Sequence, residues 1–136
     1  MGGKKQHINP DGLPKNPAFS QAVVTQGSGK TIYIGGQDAI DAEGNIVGKG
    51  DIAAQTGQAM KNVQTVLKAC GATFNDLVKL NIYVVNGQDI TKGFEASREF
   101  FKNVTDQPIV TVVMVPALGH PDFLLEIDGI AFIPET

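Results

Sequence analysis

Two carboxylates near the end of the chain are the residues best suited to chemistry. Glu126 and Asp128 lie two positions apart within residues 123–133, an apolar stretch typical of a β-strand. Because side chains alternate between the faces of a strand, both carboxylates point to one face, with Cβ atoms about 7 Å apart. A carboxylate among apolar neighbours is costly unless it meets a partner or a wet cavity. One of the two could act as a general base or orient water, and the alternative is a pair of solvated acids on a rim strand.

Other reactive residue types are scarce. His7 and His120 are the only histidines and no metal-ligand spacing occurs, so we expect no metal site. Cys70 is the single cysteine, and its place on the apolar side of a predicted helix is typical of a buried, inert thiol. Residues 29–31 (Gly-Lys-Thr) match the end of a phosphate-binding loop, but Val24 stands where the first glycine belongs, and a strand follows instead of a helix.

Composition narrows the range of functions further. The chain has 136 residues, which predicts a single domain over residues 1–136 with its own core. A net charge of −3 and a pI near 5.2 argue against nucleic-acid binding. No apolar run approaches the roughly 18 residues of a membrane span, and residues 1–30 lack the apolar core of a signal peptide. With only one cysteine, the chain fits a reducing cytoplasm.

The elements that must position the carboxylates alternate along the chain. Turn-forming residues dominate residues 1–20, an extended arm with a short strand at 6–8. Residues 26–29 are interpreted as a hairpin turn between the first two strands that follow the arm, and Gly35-Gly36 as a bulge or a close backbone approach. Apart from the arm, strands are predicted over residues 22–25, 31–34, 78–84, 109–115 and 123–133. Helices are predicted over residues 51–70 and 89–104, and the first of them is capped by Asp51 and ended by Gly71.

This order predicts an α/β fold. Two β-α-β crossovers imply a mixed sheet with both helices on one face. Residues 109–115 form an almost unbroken β-branched run, which indicates a strand covered on both faces. Two helices cannot cover both faces of the sheet, and an exposed apolar patch of that size needs a partner. The sequence therefore favours an oligomer.

Several segments in combination resemble the YjgF/RidA family, also labelled endoribonuclease L-PSP. The resemblance spans about residues 19–132, and its segments are residues 34–37 (IGGQ), 58–63 (QAMKNV), 78–84 (VKLNIYV), 100–101 (FF), 108 (P) and 124–131 (LLEIDGIA). It implies a chorismate-mutase-like fold assembled as a homotrimer, with ligand clefts between subunits. It also implies cytoplasmic hydrolysis of reactive enamine and imine intermediates, without a cofactor.

Much of the site that the family uses is altered here. Active members carry, two positions after the proline that opens the penultimate strand, an arginine that grips the substrate carboxylate. In this chain Pro108 is followed at that position by Val110, and Val112 stands where a cysteine is common. A tyrosine near the arm is replaced by Phe19, and Phe94 falls where the second helix has an asparagine. These substitutions predict a more apolar cleft.

Part of the site is retained. Glu126 matches the acidic residue that orients water in the family. Gly36-Gln37 matches the Gly-Gln turn of the family, although Gly35 replaces the serine that precedes it there. A bidentate arginine–carboxylate contact is worth a few kcal/mol, and valine supplies none of it. Arg98 is the only arginine, and its place on the second helix indicates a solvated helix surface.

Two hypotheses follow from this comparison. The first is a hydrolase or deaminase in which Glu126 orients water and the substrate is more apolar or lacks a carboxylate, with Lys79 a candidate replacement for the missing arginine. The second is a non-catalytic trimer that binds a small molecule or another protein. The ribonuclease label is disfavoured by the acidic pI.

Overall fold

The computed structural model describes residues 2–136 and has the predicted sequence of elements, with ends shifted by up to three residues. The helices are α1 (Ile52–Ala69) and α2 (Ile90–Phe101), with a 3-10 turn at Phe74–Asp76. The strands are β1 (Lys4–Ile8), β2 (Ala22–Gln26), β3 (Gly29–Gln37), β4 (Leu77–Val85), β5 (Ile109–Val115) and β6 (Leu125–Pro134).

Four strands form the main sheet in the order β3-β6-β4-β5. β6 runs antiparallel to both neighbours, and β4 and β5 are parallel, which confirms the predicted mixed sheet. The hairpin predicted at residues 26–29 is wrong, because β2 pairs with β1 and β3 pairs with β6. Ile32 and Ile34 explain the difference: both are buried, so β3 gains more by joining the central strand than by pairing with the largely exposed β2.

Helix α1 packs its apolar stripe against the sheet. Asp51 caps its first turn by accepting a hydrogen bond from the Ala54 N–H, and Gly71 takes the left-handed conformation just after its end, both as predicted. Gln55 of α1 is fully buried, although glutamine is mostly an exposed residue type. Its amide is satisfied by loop backbone, so the burial costs little.

Helix α2 lies beside α1 on the same face of the sheet. The missing side chain of Gly93 permits this, since a Cβ there would lie 3.2 Å from Thr56 Oγ1. Phe100 and Phe101 pack on the ring of Phe74 at centroid distances of 5.8 and 5.1 Å. No residue of α2 is fully buried, so one side of this helix stays open.

Strand β5 has the predicted bounds but lies at the edge of the sheet. Val112, Val113 and Met114 are 47%, 41% and 41% exposed, so the expected cover on both faces is not supplied within the chain. An edge strand with apolar side chains open on both faces is a ready surface for pairing or burial. None of the helices in residues 2–136 is long and apolar enough to cross a membrane.

Candidate functional site

Strand register divides the predicted site residues between the two faces of the main sheet. Ile82 is the partner of both Val112 and Ile127, so these residues share the face that carries the helices, hereafter the helix-side face. Tyr83 is the partner of Glu126 and lies on the opposite, open face. Within one chain, Val112 and Glu126 therefore do not meet.

The helix-side face bears an open groove of about 1020 Å³ between the N-terminal arm, α2 and β5. Phe19, Phe94, Val110 and Val112 all line it, which brings together the four positions at which the sequence predicted a more apolar cleft. A smaller cavity of about 100 Å³, with a mostly aliphatic lining, lies between α2 and the sheet. Together they offer apolar surface to a ligand.

Arg98 is exposed on the surface of α2, as expected, and it also lines this groove. Its place on the last turn of α2 directs it to the groove rim, next to Lys102. Lys79, the other candidate replacement, is the partner of Ile130 and lies on the open face. Among residues 2–136, the cations that line the groove are thus Arg98 and Lys102 at the end of α2, and Lys79 on β4 is not one of them.

The open face holds Glu126, and Gly36 determines how closely the chain approaches it. The β3–β6 register shifts between Ile34 and Gln37, a bulge at the predicted position. A Cβ on Gly36 would lie 2.5 Å from Glu126 Oε2, so only glycine fits there without displacing the carboxylate. By contrast, a Cβ on Gly35 would meet open space.

A second carboxyl, which the sequence analysis missed, lies beside Glu126. Burial, a hydrogen bond with Glu126 and repulsion from its charge raise the pKa of Asp38 to about 7. Asp38 Oδ1 is buried without a hydrogen-bond partner among residues 2–136. Near neutral pH the two carboxyls can therefore hold one proton between them. The only sequence signal for this pair is an acid directly after the Gly36-Gln37 turn.

Helix α1 fixes the segment that carries Asp38. Asn62 donates hydrogen bonds of 2.8 Å to the carbonyls of both Asp38 and Ile40, and Gln58 donates to the Asn62 side-chain oxygen at 3.0 Å. Both amides are half-buried and anchor the loop, so the helix sets the backbone position of Asp38.

Asp128 lies on the open face with Glu126, as the strand spacing predicts. It accepts a hydrogen bond of 2.7 Å from the Asn81 side chain. The charge of Asp128, with smaller contributions from desolvation and a hydrogen bond to Asp128, raises the pKa of the Tyr83 hydroxyl. The open face thus groups three carboxyls, those of Asp38, Glu126 and Asp128, whereas the lining of the groove is mostly apolar.

Gln55 is a further residue whose role the sequence did not reveal. It donates to the carbonyls of Gly48 and Asp122 and accepts from the Leu124 N–H at 2.9 Å. It therefore ties the loop before α1 to the loop that enters β6, just ahead of Glu126. Over the described chain, no three His, Cys, Asp or Glu side chains are grouped so that they could hold a metal ion.

Comparison with known proteins agrees with this architecture. The family model described as Endoribonuclease L-PSP matches residues 13–133. A RutC family protein of Pyrococcus horikoshii is 34% identical over 114 residues, covering 84% of this chain and 86% of that protein. The 2-iminobutanoate/2-iminopropanoate deaminase of Mus musculus is 32% identical over 113 residues, covering 83% of this chain and 79% of the mouse protein.

Solved structures of Rid family proteins have the same fold as this chain. A protein of the conserved Rid family from Yersinia pestis superposes with a TM-score of 0.85 at 35% identity, covering 95% of this chain and 98% of that one. The RidA of an Antarctic Psychrobacter superposes with a TM-score of 0.68 at 28% identity, over 94% and 99% of the two chains. The sequence and the fold agree, and the chain belongs to the YjgF/RidA family, which the endoribonuclease L-PSP model describes.

Proposed function

We propose that this protein hydrolyses a reactive imine or enamine, releasing ammonia, at a site to which Glu126 contributes the water-orienting carboxylate. The single observation that carries the proposal is the close fit of Glu126 against Gly36. A half-buried carboxylate in this position can accept a proton from water as the oxygen attacks the imine carbon. The deaminase named in the mouse relative supports this reaction class.

The apolar groove supports an altered substrate. Val110 and Val112 offer no charge to a substrate carboxylate, and a carboxylate desolvated there without a partner is destabilised. We therefore propose an imine whose body is apolar and which does not depend on a carboxylate for binding. Phe19 and Phe94 would contact that body, and the Gly36-Gln37 turn, with Gly35 beside it, would border the reacting end.

The separation of groove and carboxylate supports a homotrimer. Within one chain Val112 and Glu126 lie on opposite faces of the sheet, so a single cleft containing both needs a neighbouring subunit. The exposed side chains of Val113 and Met114 on β5 offer apolar surface for such a neighbour. Each cleft would then take its apolar wall and its carboxylate from different subunits.

The test is a trapping assay. An amine oxidase generates an imine in solution, semicarbazide captures it, and a hydrolase lowers the amount of semicarbazone formed. We expect the wild-type protein to lower it and Glu126→Gln to lose the effect by about 10²-fold, because amide nitrogen cannot accept the proton. Glu43→Gln, an equal change on an exposed loop, is the matched control. Equal rates for wild type and Glu126→Gln would contradict the proposal.

A second function is favoured by the groove itself. Its lining is mostly apolar, with Arg98, Glu99 and Lys102 at the α2 rim, which is suited to binding without chemistry. In that case the protein is a non-catalytic trimer that binds a small molecule or another protein. Saturable binding of an apolar amine or acid, measured by calorimetry with no imine hydrolysis by the wild type, would favour this function.

A further inference from the structure

We propose that the groove on the helix-side face binds an apolar molecule that ends in an oxyanion, and that Arg98 and Lys102 bind the oxyanion. The inference rests on the proposed function and specifies the ligand of the groove. It starts from a ridge of side chains along the surface of α2. Members of this ridge follow one another at intervals of four residues, which makes them neighbours on a helix: Ile90, Phe94, Arg98 and Lys102.

The ridge changes from apolar to cationic along the helix axis. Its first two members, Ile90 and Phe94, line the small cavity between α2 and the sheet. Phe94 also lines the groove, and so do Arg98 and Lys102, which do not line the cavity. At a rise of about 1.5 Å per residue, Lys102 lies about 12 Å along the axis from Phe94. A ligand that follows the ridge therefore meets apolar surface at one end and positive charge at the other.

The apolar part of this path is open to a ligand. Ile90 and Phe94 are 45% and 50% exposed. The cavity adjoins the groove, because the two share part of their lining, namely Met60, Ile82, Phe94, Ser97, Val110 and Val112. An apolar chain laid along this surface would remove it from water, which stabilises the complex.

The cations at the other end of the path are available to a ligand. Among residues 2–136, neither Arg98 nor Lys102 forms a salt bridge. Carbonyls at the end of α2 have other donors: Phe101 accepts from the Val104 N–H at 3.1 Å, and Val104 accepts from the Gln107 amide at 3.3 Å. The two cations are therefore not needed to satisfy these carbonyls.

The charge of the groove is opposite in sign to that of the chain. Its charged lining residues are Arg98, Lys102 and Glu99, two positive charges and one negative, which gives +1 on a chain of net charge −3. Arginine and lysine side chains bind carboxylates and phosphates, so either oxyanion fits this end. This oxyanion lies at the far end of the ligand from the imine. It is distinct from the carboxylate of an imino acid, to which Val110 offers no charge.

Calorimetric titration of the wild type with four probes tests the class of ligand. Octanoate, octyl phosphate, octanol and octylamine share one apolar chain and differ in the end group. We expect at least one of the two anions to bind about fivefold more tightly than octanol, and octylamine to bind most weakly. The tighter anion identifies the group as a carboxylate or a phosphate. Equal affinities for the anions and octanol, or a preference for octylamine, would overturn the proposal.

Substitutions on α2 test the position of the ligand. Arg98→Gln and Lys102→Gln should each weaken binding of the preferred anion by about fivefold, and the double variant should bind it no better than octanol. Lys92→Gln removes the same charge from an exposed position on α2 that does not line the groove, so it should bind like the wild type. Phe94→Ala should weaken the binding of all four probes. A loss in Lys92→Gln as large as in Arg98→Gln, or an unchanged affinity in Phe94→Ala, would contradict the path along α2.

The trapping assay separates this inference from the proposed function. A wild type that hydrolyses imines, with an anion affinity that does not respond to Arg98→Gln, would overturn the anion site alone. Anion binding that depends on Arg98, in a wild type without imine hydrolysis, would overturn the hydrolysis and leave the anion site in place.

Discussion

The two faces of the main sheet differ in the chemistry that they offer. The helix-side face presents a large groove with apolar walls, lined by Val110 and Val112, whereas the open face presents Glu126 paired with Asp38. A period of two along β5 and β6 places these sets on opposite sides. Within one chain the groove and these carboxyls are therefore separate, so a cleft that contains both would require a second subunit.

The largest effect is expected from closing the space beside Glu126. Gly36→Ala puts a methyl group 2.5 Å from Glu126 Oε2 and must displace the carboxylate. Because a displacement of about 1 Å can cost roughly a hundredfold in rate, we expect a loss of that order in imine hydrolysis. Gly119→Ala adds a methyl group in open space and is the matched control. A Gly36→Ala protein as active as this control would show that the position of Glu126 does not matter.

The next largest effect is expected from disrupting the assembly of the subunits. Light scattering of the wild type at micromolar concentration should give three times the chain mass of 14.4 kDa. Met114→Lys places a charge on the exposed apolar surface of β5 and should shift the protein toward monomer with loss of hydrolysis. Gln64→Lys, an exposed change on α1, should remain a trimer. A monomeric wild type would remove the basis for a shared cleft.

The carboxyl pair should also govern stability against pH. Because the pKa of Asp38 is raised to about 7 in the folded state, its contribution to stability is full below about pH 4 and is lost as the pH rises to 7. Asp38→Asn has no carboxyl to ionise, so it should keep its stability as the pH rises. After solvent screening of the partly exposed side chain, the free energy of unfolding at pH 8 should increase by about 1 kcal/mol, which raises Tm by about 3–5 °C.

Thermal melts at pH 4 and pH 8 test this expectation. The gain in Tm of Asp38→Asn over the wild type should be present at pH 8 and absent at pH 4. Asp11→Asn, an exposed carboxylate next to Lys15, should melt like the wild type at both values. A gain of the same size at both pH values would point to packing and away from the pair.

The smallest effect is expected from restoring the arginine of the family. Val110→Arg places a guanidinium in the groove, but Phe19, Gly35 and Val112 still differ from the family pattern. A single arginine without its supporting neighbours is poorly held, so the rate with small imino acids should change by no more than about twofold. The trapping assay with an amino-acid oxidase as the imine source measures it. A large gain would show that only the arginine was missing.

Much of the fold follows from local patterns in the sequence. The apolar period of α1, its cap at Asp51 and the β-branched run of β5 fix these elements without reference to the rest of the chain. Local patterns could not predict which strand pairs with β2, because a turn at residues 26–29 is also compatible with a β2–β3 hairpin. Strand pairing depends on which strand is central, and that is decided by the whole core.

The candidate site was predictable only where a spacing or the family pattern marks it. Glu126 and Asp128 share a face because they are two apart on a strand, and Gly36 was expected at a close approach. Asp38 is marked only by its place after the Gly36-Gln37 turn and Gln55 not at all, because their contacts are with residues distant in sequence. A polar residue on a helix is expected in solvent, and only tertiary contacts show that Gln55 is buried.

The division between an apolar groove and a carboxyl pair is tested most directly by the ratio of two rates. The wild-type protein is given a pair of imines with the same apolar side chain, one with a carboxylate and one without, and kcat/KM is measured for each. With no cation at Val110 to receive the carboxylate, we predict at least tenfold preference for the imine that lacks it. A tenfold preference for the imino acid would contradict the account and place a cation, such as Arg98, at the reacting end of the groove.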